Sequence, residues 1–186
     1  MVLCSPSTTK PQPPRDAPDA PPPKLYVCPF TILFDTREQA PWTFNNIILS
    51  KQLWVVRRQL ATMQTGDYSV DGMRDTLCIE RKSAVDFTGS VTGGAQRFKR
   101  EHERMAEIVA VGGFACVVVE GILSAICDNL DVDAGRKVNS DHILGACAAW
   151  PARYGVHWFF AGDRRRAELL AFRIMAKQWS ERKGVI

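Results

Sequence analysis

Short continuous apolar runs alternate along this chain with stretches in which apolar residues recur every three or four positions. Phe30-Thr-Ile-Leu-Phe34, Phe114-Ala-Cys-Val-Val-Val119 and Val156-His-Trp-Phe-Phe160 are of the first kind. Runs of that length, rich in β-branched and aromatic residues, read as buried strands. The 114–119 run has no polar alternation and suits a central strand covered on both faces. Trp54 to Met63 alternates weakly and is assigned as a strand, whereas Trp42 to Leu53 has no decisive period. Gly66 to Val70 reads as a strand entering an Asp71-Gly72 turn, and Thr76 to Glu80 as its hairpin partner.

The helical stretches carry their own start and stop signals. Ser83-Ala-Val-Asp86 fits a capping box, so a helix is expected to open at Ser83 and break at Gly93-Gly94. A second helix runs from Ala95 to about Val111, with Phe98, Met105 and Ile108 inward, and stops at Gly112-Gly113. A short helix is expected over Ile122 to Cys127 and a polar loop over Asp128 to Lys137. Ser140 is assigned as the cap of a helix reaching Tyr154, with Ile143, Leu144, Cys147 and Trp150 inward. Asp163 caps a last helix facing Leu169, Leu170, Phe172, Ile174 and Met175 inward. Strands first, then alternating helix and strand, predict an α/β sandwich around a mixed sheet.

Residues 1–24 are different in kind. Pro11-Gln12-Pro13-Pro14 and Pro21-Pro22-Pro23 dominate them, apolar residues are scarce, and an extended or disordered tail is expected, a spacer or a P-x-x-P ligand. The folded part, 25–186, is read as one domain. The whole chain has 186 residues, 46% hydrophobic and 24% charged, with a net charge of +4. That balance is ordinary for a folded domain, and it permits a nucleic-acid partner without requiring one. The cysteines form no C-x-x-C pair, and Cys78 and Cys116 lie inside apolar runs as small buried thiols. No signal-peptide run and no stretch of about 20 apolar residues occurs, so a cytoplasmic, reducing location is expected, with the nucleus left open and no membrane partner.

Candidate chemistry concentrates between Gly66 and Asp86. Strand alternation puts Glu80 and Lys82 on one face, roughly 7 Å apart, and Arg81 on the other. Hairpin pairing brings Asp67 near Glu80, and the Arg81 backbone carbonyl is a further oxygen. Two carboxylates suit a hard divalent cation, and a nearby lysine can orient a water or offset phosphate charge. The same residues also read as solvated strand-end charges, and Asp86 as nothing more than part of the helix cap.

Resemblance adds to this reading. Gly66-Asp67-Tyr68 followed by Cys78-Ile-Glu80-Arg81-Lys82-Ser-Ala-Val-Asp86-Phe87 resembles the G-D-Y … E-R-K-x-x-x-D-[LF] signature of XPF-type nucleases. That family includes the archaeal Hef nuclease, the eukaryotic excision-repair and crossover nucleases, and stand-alone bacterial and phage versions. Phe34-Asp35-Thr36-Arg37-Glu38 is similar to the upstream D-x-R-E. Gly93-Gly94 followed by Arg97 resembles the G-R segment, with Ala95 and Gln96 inserted. The resemblance implies a restriction-endonuclease-like three-layer fold, with helices flanking a central mixed sheet. It implies Mg²⁺ or Mn²⁺ held by Asp67 and Glu80 with Asp35 nearby, and Lys82 acting on the attacking water. Arg81 and Asp86 belong to the signature, with Arg81 expected to hold Asp86 or a neighbouring backbone group. Arg37 is expected on DNA phosphate with Glu38 orienting it.

The helix-hairpin-helix module that usually follows in the family is not in this sequence. DNA would then be held by the domain itself, by a homodimer or by a partner subunit. Arg97 is the first choice for phosphate contact, followed by Arg164 and Arg165 of the basic triplet 164–166, whose place at a helix start the dipole disfavours. Lys99, Arg100 and Arg104, interleaved with Glu101, Glu103 and Glu107, read as a solvated helix face. Trp158, Phe159 and Phe160 are read as core or dimer interface. The expected activity is a metal-dependent DNA endonuclease acting on flap, fork or junction DNA in repair, recombination or phage DNA processing, with no small-molecule cofactor. The alternatives are a non-cutting scaffold that binds DNA structures or a partner, and an interaction protein working through its tail.

Overall fold

A computed structural model describes residues 23–131 and 139–184. Residues 1–22 of the expected tail and 132–137 of the expected 128–137 loop lie outside the described residues, whereas Lys24 stands in a strand and 128–131 continue a helix instead of opening the loop. Seven strands and five helices follow in the order β1 (Lys24–Asp35), β2 (Ile47–Leu49), β3 (Gln52–Ala61), β4 (Tyr68–Val70), β5 (Leu77–Ser83), α1 (Ala84–Thr92), α2 (Ala95–Ala110), β6 (Phe114–Glu120), α3 (Leu123–Asp131), α4 (Ser140–Tyr154), β7 (His157–Phe160) and α5 (Arg164–Lys183).

The strands form one mixed sheet in the order β2-β3-β1-β4-β5-β6-β7. β1 is parallel to β3 and antiparallel to β4, β4 is antiparallel to β5, and β5, β6 and β7 run parallel. The order therefore aligns the C-terminal ends of β1, β5 and β6 along one edge, with the entry to β4 among them. Crevices at the carboxyl ends of strands are where open α/β sheets place their ligands.

Period-two alternation divides the core into two. Leu77 and Ile79 of β5 and Cys116 and Val118 of β6 pack with Phe172 and Met175 of α5. Cys78, Ala115, Val117 and Val119 pack on the opposite face with Phe87, Phe98, Met105 and Ile143 of α1, α2 and α4. The result is three layers, helix–sheet–helix, as expected. β6 is apolar from Phe114 to Val119 because both its faces are covered. It is sixth in order, and the central position belongs to β4.

Several boundaries moved. β1 begins six residues before the apolar run, because Lys24–Val27 pairs with Gln52–Val55 across an irregularity between Val27 and Thr31. The undecided 42–53 stretch supplies the edge strand β2, antiparallel to β3. Asn139, and not Ser140, caps α4 by accepting from the His142 N–H. The inward line of α4 is Ile143, Ala146, Cys147 and Trp150, which leaves Leu144 exposed. In α5 the fully inward line is Ala167, Ala171, Phe172 and Met175, with Leu169, Leu170 and Ile174 on its flanks. Trp158 and Phe160 join the α1/α2 core, and Phe159 packs on the α5 side.

Candidate active site

The G-D-Y stretch is held by its glycine. Gly66 has φ +74°, and a Cβ there would stand 2.3 Å from Cys78 Sγ. Only glycine allows both the left-handed turn and the close approach to β5. The chain then enters β4 with the Asp67 N–H donating to Ile79 O (2.9 Å) and the Asp35 N–H donating to Asp67 O (2.9 Å). Tyr68 pairs with Ile79, so Asp67 falls opposite Glu80, as the hairpin expectation required. Tyr68 itself is buried: its hydroxyl accepts from the Trp42 N–H (2.7 Å), and its ring stacks on Trp42 with centroids 4.6 Å apart. This ties the strand to the Pro41-Trp42 segment.

Glu80 is 5% exposed and shares its face with Lys82, whose Nζ donates to Glu80 Oε1. One Asp67 oxygen accepts from the Arg81 N–H (2.8 Å). Burial lifts Asp67 to about 6, against the pull of the Arg81 N–H. Burial raises Glu80 well above the carboxylate range, and the charges of Asp67 and Glu101 push it further. Burial works against the Lys82 charge, but the surrounding Glu80, Glu101 and Asp67 carboxylates outweigh it and hold the ammonium's pKa above its usual value.

Glu101 of α2 is the residue that sequence reasoning missed. Its Oε2 lies 3.4 Å from Lys82 Nζ, and it lines the same cleft as Asp67 and Glu80. The signal was present: Glu101 stands three residues after Phe98 and four before Met105, both inward. It therefore lies in the inward arc of the helix and not on the solvated face where it was placed.

Arg81 points to the other face, as expected, but its partners correct the expectation. Its Nε and Nη2 donate to the two oxygens of Glu120 (2.8 and 2.9 Å), and Nη1 lies 3.4 Å from Glu38. Glu120, at the end of β6, also accepts from Trp42 Nε1 (2.7 Å). Arg81 thus locks the ends of β5 and β6 together and does not reach Asp86. Glu38 orients Arg81 rather than Arg37. Asp86 completes the capping box: it accepts from Ser83 Oγ (2.7 Å), and its N–H donates to the same oxygen (3.1 Å). It also lines the cleft.

Asp35 is 1% exposed, and its carboxylate is fully engaged. It accepts from the Arg37 N–H (2.8 Å), Arg37 Nε (2.7 Å), Arg37 Nη2 (3.2 Å) and the Met63 N–H (2.7 Å). Burial raises its pKa, but the Arg37 and Met63 hydrogen bonds outweigh this and hold it below the usual value. Asp35 therefore stands beside the carboxylate pair and anchors Arg37.

Arg97 is exposed, lines the cleft, and has no carboxylate within ion-pair distance among the described residues. Arg164 and Arg165 are otherwise engaged. Arg164 Nη2 donates to Ala40 O (2.8 Å) and Pro41 O (3.0 Å), and Nη1 to Glu120 (3.2 Å). Arg165 donates to Asn45 O (2.9 Å), Asn46 O (2.6 Å) and Glu168 Oε2 (2.6 Å). The basic start of α5 is explained by the carbonyls of the 40–46 loop, which these guanidinium groups hold. Both side chains remain partly exposed, at 46% and 44%.

The cleft these elements enclose has a volume of about 740 Å³ and contains Asp67, Glu80 and Lys82 in its wall. Among the described residues no three His, Cys, Asp or Glu side chains converge as a metal cage. One buried and one half-buried carboxylate beside one ammonium nevertheless fit a hard cation that takes its remaining ligands from water, backbone or phosphate.

The ERCC4 domain family matches residues 34–171. The structure is similar to XPF from Aeropyrum pernix, with a TM-score of 0.55 and 22% identity over 79% of this chain. It is likewise similar to XPF from Aeropyrum pernix in complex with DNA, with a TM-score of 0.56 and 22% identity over 82% of this chain. The chain spans 60% and 66% of those two chains. No curated protein matches it. The fold is thus restriction-endonuclease-like, and the chain belongs to the ERCC4 domain family of XPF-type nucleases.

Proposed function

We propose that this protein is a divalent-metal-dependent DNA endonuclease that hydrolyses backbone phosphodiester bonds. The observation that carries this reading is the convergence of half-buried Asp67 and buried Glu80 with Lys82 in the wall of an open cleft at the strand ends. Asp67 and Glu80 would hold Mg²⁺ or Mn²⁺, with the Arg81 backbone carbonyl as a further oxygen. The bound cation supplies Lewis-acid polarisation of the phosphate and of the attacking water. Lys82 offsets charge building on the phosphate oxygens and orients the water, while Glu80 and Glu101 hold its ammonium in place. Arg37, fixed by Asp35, and Arg97 contact the phosphates of the DNA. Arg81, Glu120 and Glu38 keep the strand ends in register and touch neither the substrate nor the metal through their side chains.

Preference for flap, fork or junction DNA belongs to the same proposal, and it is supported by the family. Specificity then comes from DNA shape and deformability. Purified protein with Mg²⁺ or Mn²⁺ tests this against linear, nicked, flap, fork and four-way DNA. Asp67→Asn, Glu80→Gln and Lys82→Ala are each expected to lower cleavage at least about 100-fold with folding intact. A cleaving Asp67→Asn variant would refute the metal assignment.

A further inference from the structure

The Lys82 ammonium is contested by two elements. From β5 itself, Glu80 Oε1 accepts from its Nζ. From α2, Glu101 Oε2 stands 3.4 Å from the same nitrogen, which also lies 5.5 Å from the centroid of the Phe98 ring. Phe98 and Glu101 are three positions apart on one helix and share a face. Together they form a seat for a cation: a ring whose π face attracts an ammonium, with a carboxylate beside it. The seat is fixed from behind. Phe98 is 1% exposed, and its ring packs against Phe87, Trp150 and Trp158. The Glu101 side chain is 15% exposed, and Lys82 is its one ion-pair partner among the described residues.

Glu80 holds the ammonium less well once it also serves a divalent cation. One Asp67 oxygen is committed to the Arg81 N–H (2.8 Å), so a cation beside Asp67 leans on the Glu80 carboxylate that Lys82 occupies, and it repels the ammonium there. We propose that Glu101, with the Phe98 ring, receives Lys82 Nζ when Asp67 and Glu80 take a divalent cation. This inference rests on the metal assignment above. The movement is short, because the nitrogen already lies within ion-pair distance of both carboxylates and the lysine stem is flexible. Lys82 thereby stays in the cleft, charged and facing the phosphate, and stops competing for a metal-binding oxygen. Glu101 touches no reacting atom. It is a positioning residue that acts through Lys82.

The test is Mn²⁺ binding to full-length protein without DNA, followed by electron paramagnetic resonance of the free ion. Parent, Glu101→Gln, Lys82→Met and the double variant are compared, each checked for parental circular dichroism. Glu101→Gln is expected to weaken Mn²⁺ binding about tenfold, because the ammonium then stays on Glu80. Lys82→Met is expected to tighten it. In that background Glu101→Gln is expected to cost less than about threefold, the effect of the lost charge alone. An equal loss in both backgrounds would reduce Glu101 to a distant charge and overturn the hand-over. A larger loss with Lys82→Met would make Glu101 a direct ligand and overturn it as well. A second measurement needs no change at Lys82: nitrogen NMR of its ammonium during a Mg²⁺ titration. The signal is expected to persist to saturation in the parent and to vanish by exchange with water in Glu101→Gln; the same behaviour in both proteins would overturn the proposal. A parent that binds Mn²⁺ with no coupling between Glu101 and Lys82 leaves the metal assignment standing. A parent that binds neither ion overturns that assignment and this inference with it.

Discussion

A carboxylate buried beside another carboxylate resists ionisation unless a cation joins it, and Asp67 and Glu80 are in that position. Asp67, at 3.8 when free, stands at about 6 in the folded, metal-free chain. The native state therefore binds this proton more tightly than the unfolded chain does. The resulting stabilisation is fully present below about pH 4 and is lost as pH rises through about 6, a loss of roughly 3 kcal/mol from this group. Asn at the same position keeps the acceptor for the Arg81 N–H without the charge. Asp67→Asn is expected to be about 1–3 kcal/mol more stable than the parent at pH 8 and no more stable at pH 4, read by urea denaturation in chelator. A pH-independent difference would contradict the burial account. The Asp67–Glu80–Lys82 grouping was legible in the sequence because strand alternation and one Asp-Gly turn suffice to assemble it. Glu101 was overlooked because its charge was weighed above its place in the helical period. The hold of Arg164 and Arg165 on the 40–46 loop was not legible, because carbonyls 119–124 residues away leave no mark on the local pattern.

Elements here are positioned by a few contacts whose loss has a calculable cost. Gly66 is one. Alanine there meets both the left-handed backbone and Cys78 Sγ, so Gly66→Ala is expected to cost about 2–4 kcal/mol and to displace Asp67. Adding Cys78→Ala removes the clash but not the backbone strain, and should recover only part of the loss in denaturant titration. Full recovery would show that the clash alone matters. Glu120 is another: it takes both Arg81 hydrogen bonds and that of Trp42 Nε1. Glu120→Ala leaves a part-buried guanidinium with only the longer Glu38 contact and is expected to cost about 3 kcal/mol by the same measurement; a change below about 0.5 kcal/mol, the level of a neutral surface substitution, would show that solvent and Glu38 satisfy Arg81. Most elements could be read from period and capping signals, α1 best of all through its Ser83–Asp86 box. β2 could not, because three residues carry no measurable period, and the extension of β1 is fixed by pairing with β3 and not by its own apolar content.

For the whole molecule, the three layers followed from the order of strands and helices, and the G-D-Y and E-R-K stretches meet at the edge where the C-terminal ends of β1, β5 and β6 align. What the sequence left out was the way the remote segments close around that edge: the 40–46 loop held by α5, and α2 laid across the carboxylates by the packing of Phe98 and Met105. No described helix is long and apolar enough to cross a membrane. The open cleft at the strand ends is the feature on which the proposed DNA cleavage rests. The central claim is that Asp67 and Glu80 bind the cation that drives phosphodiester hydrolysis. It is tested most directly by comparing parent and Glu80→Gln proteins, both shown to be folded, on flap and fork DNA with Mn²⁺ and again with excess chelator. Cleavage by the parent with Mn²⁺ alone, and by neither protein in chelator nor by the variant at all, is the result this account predicts. Cleavage that survives Glu80→Gln, or that persists in chelator, would contradict it.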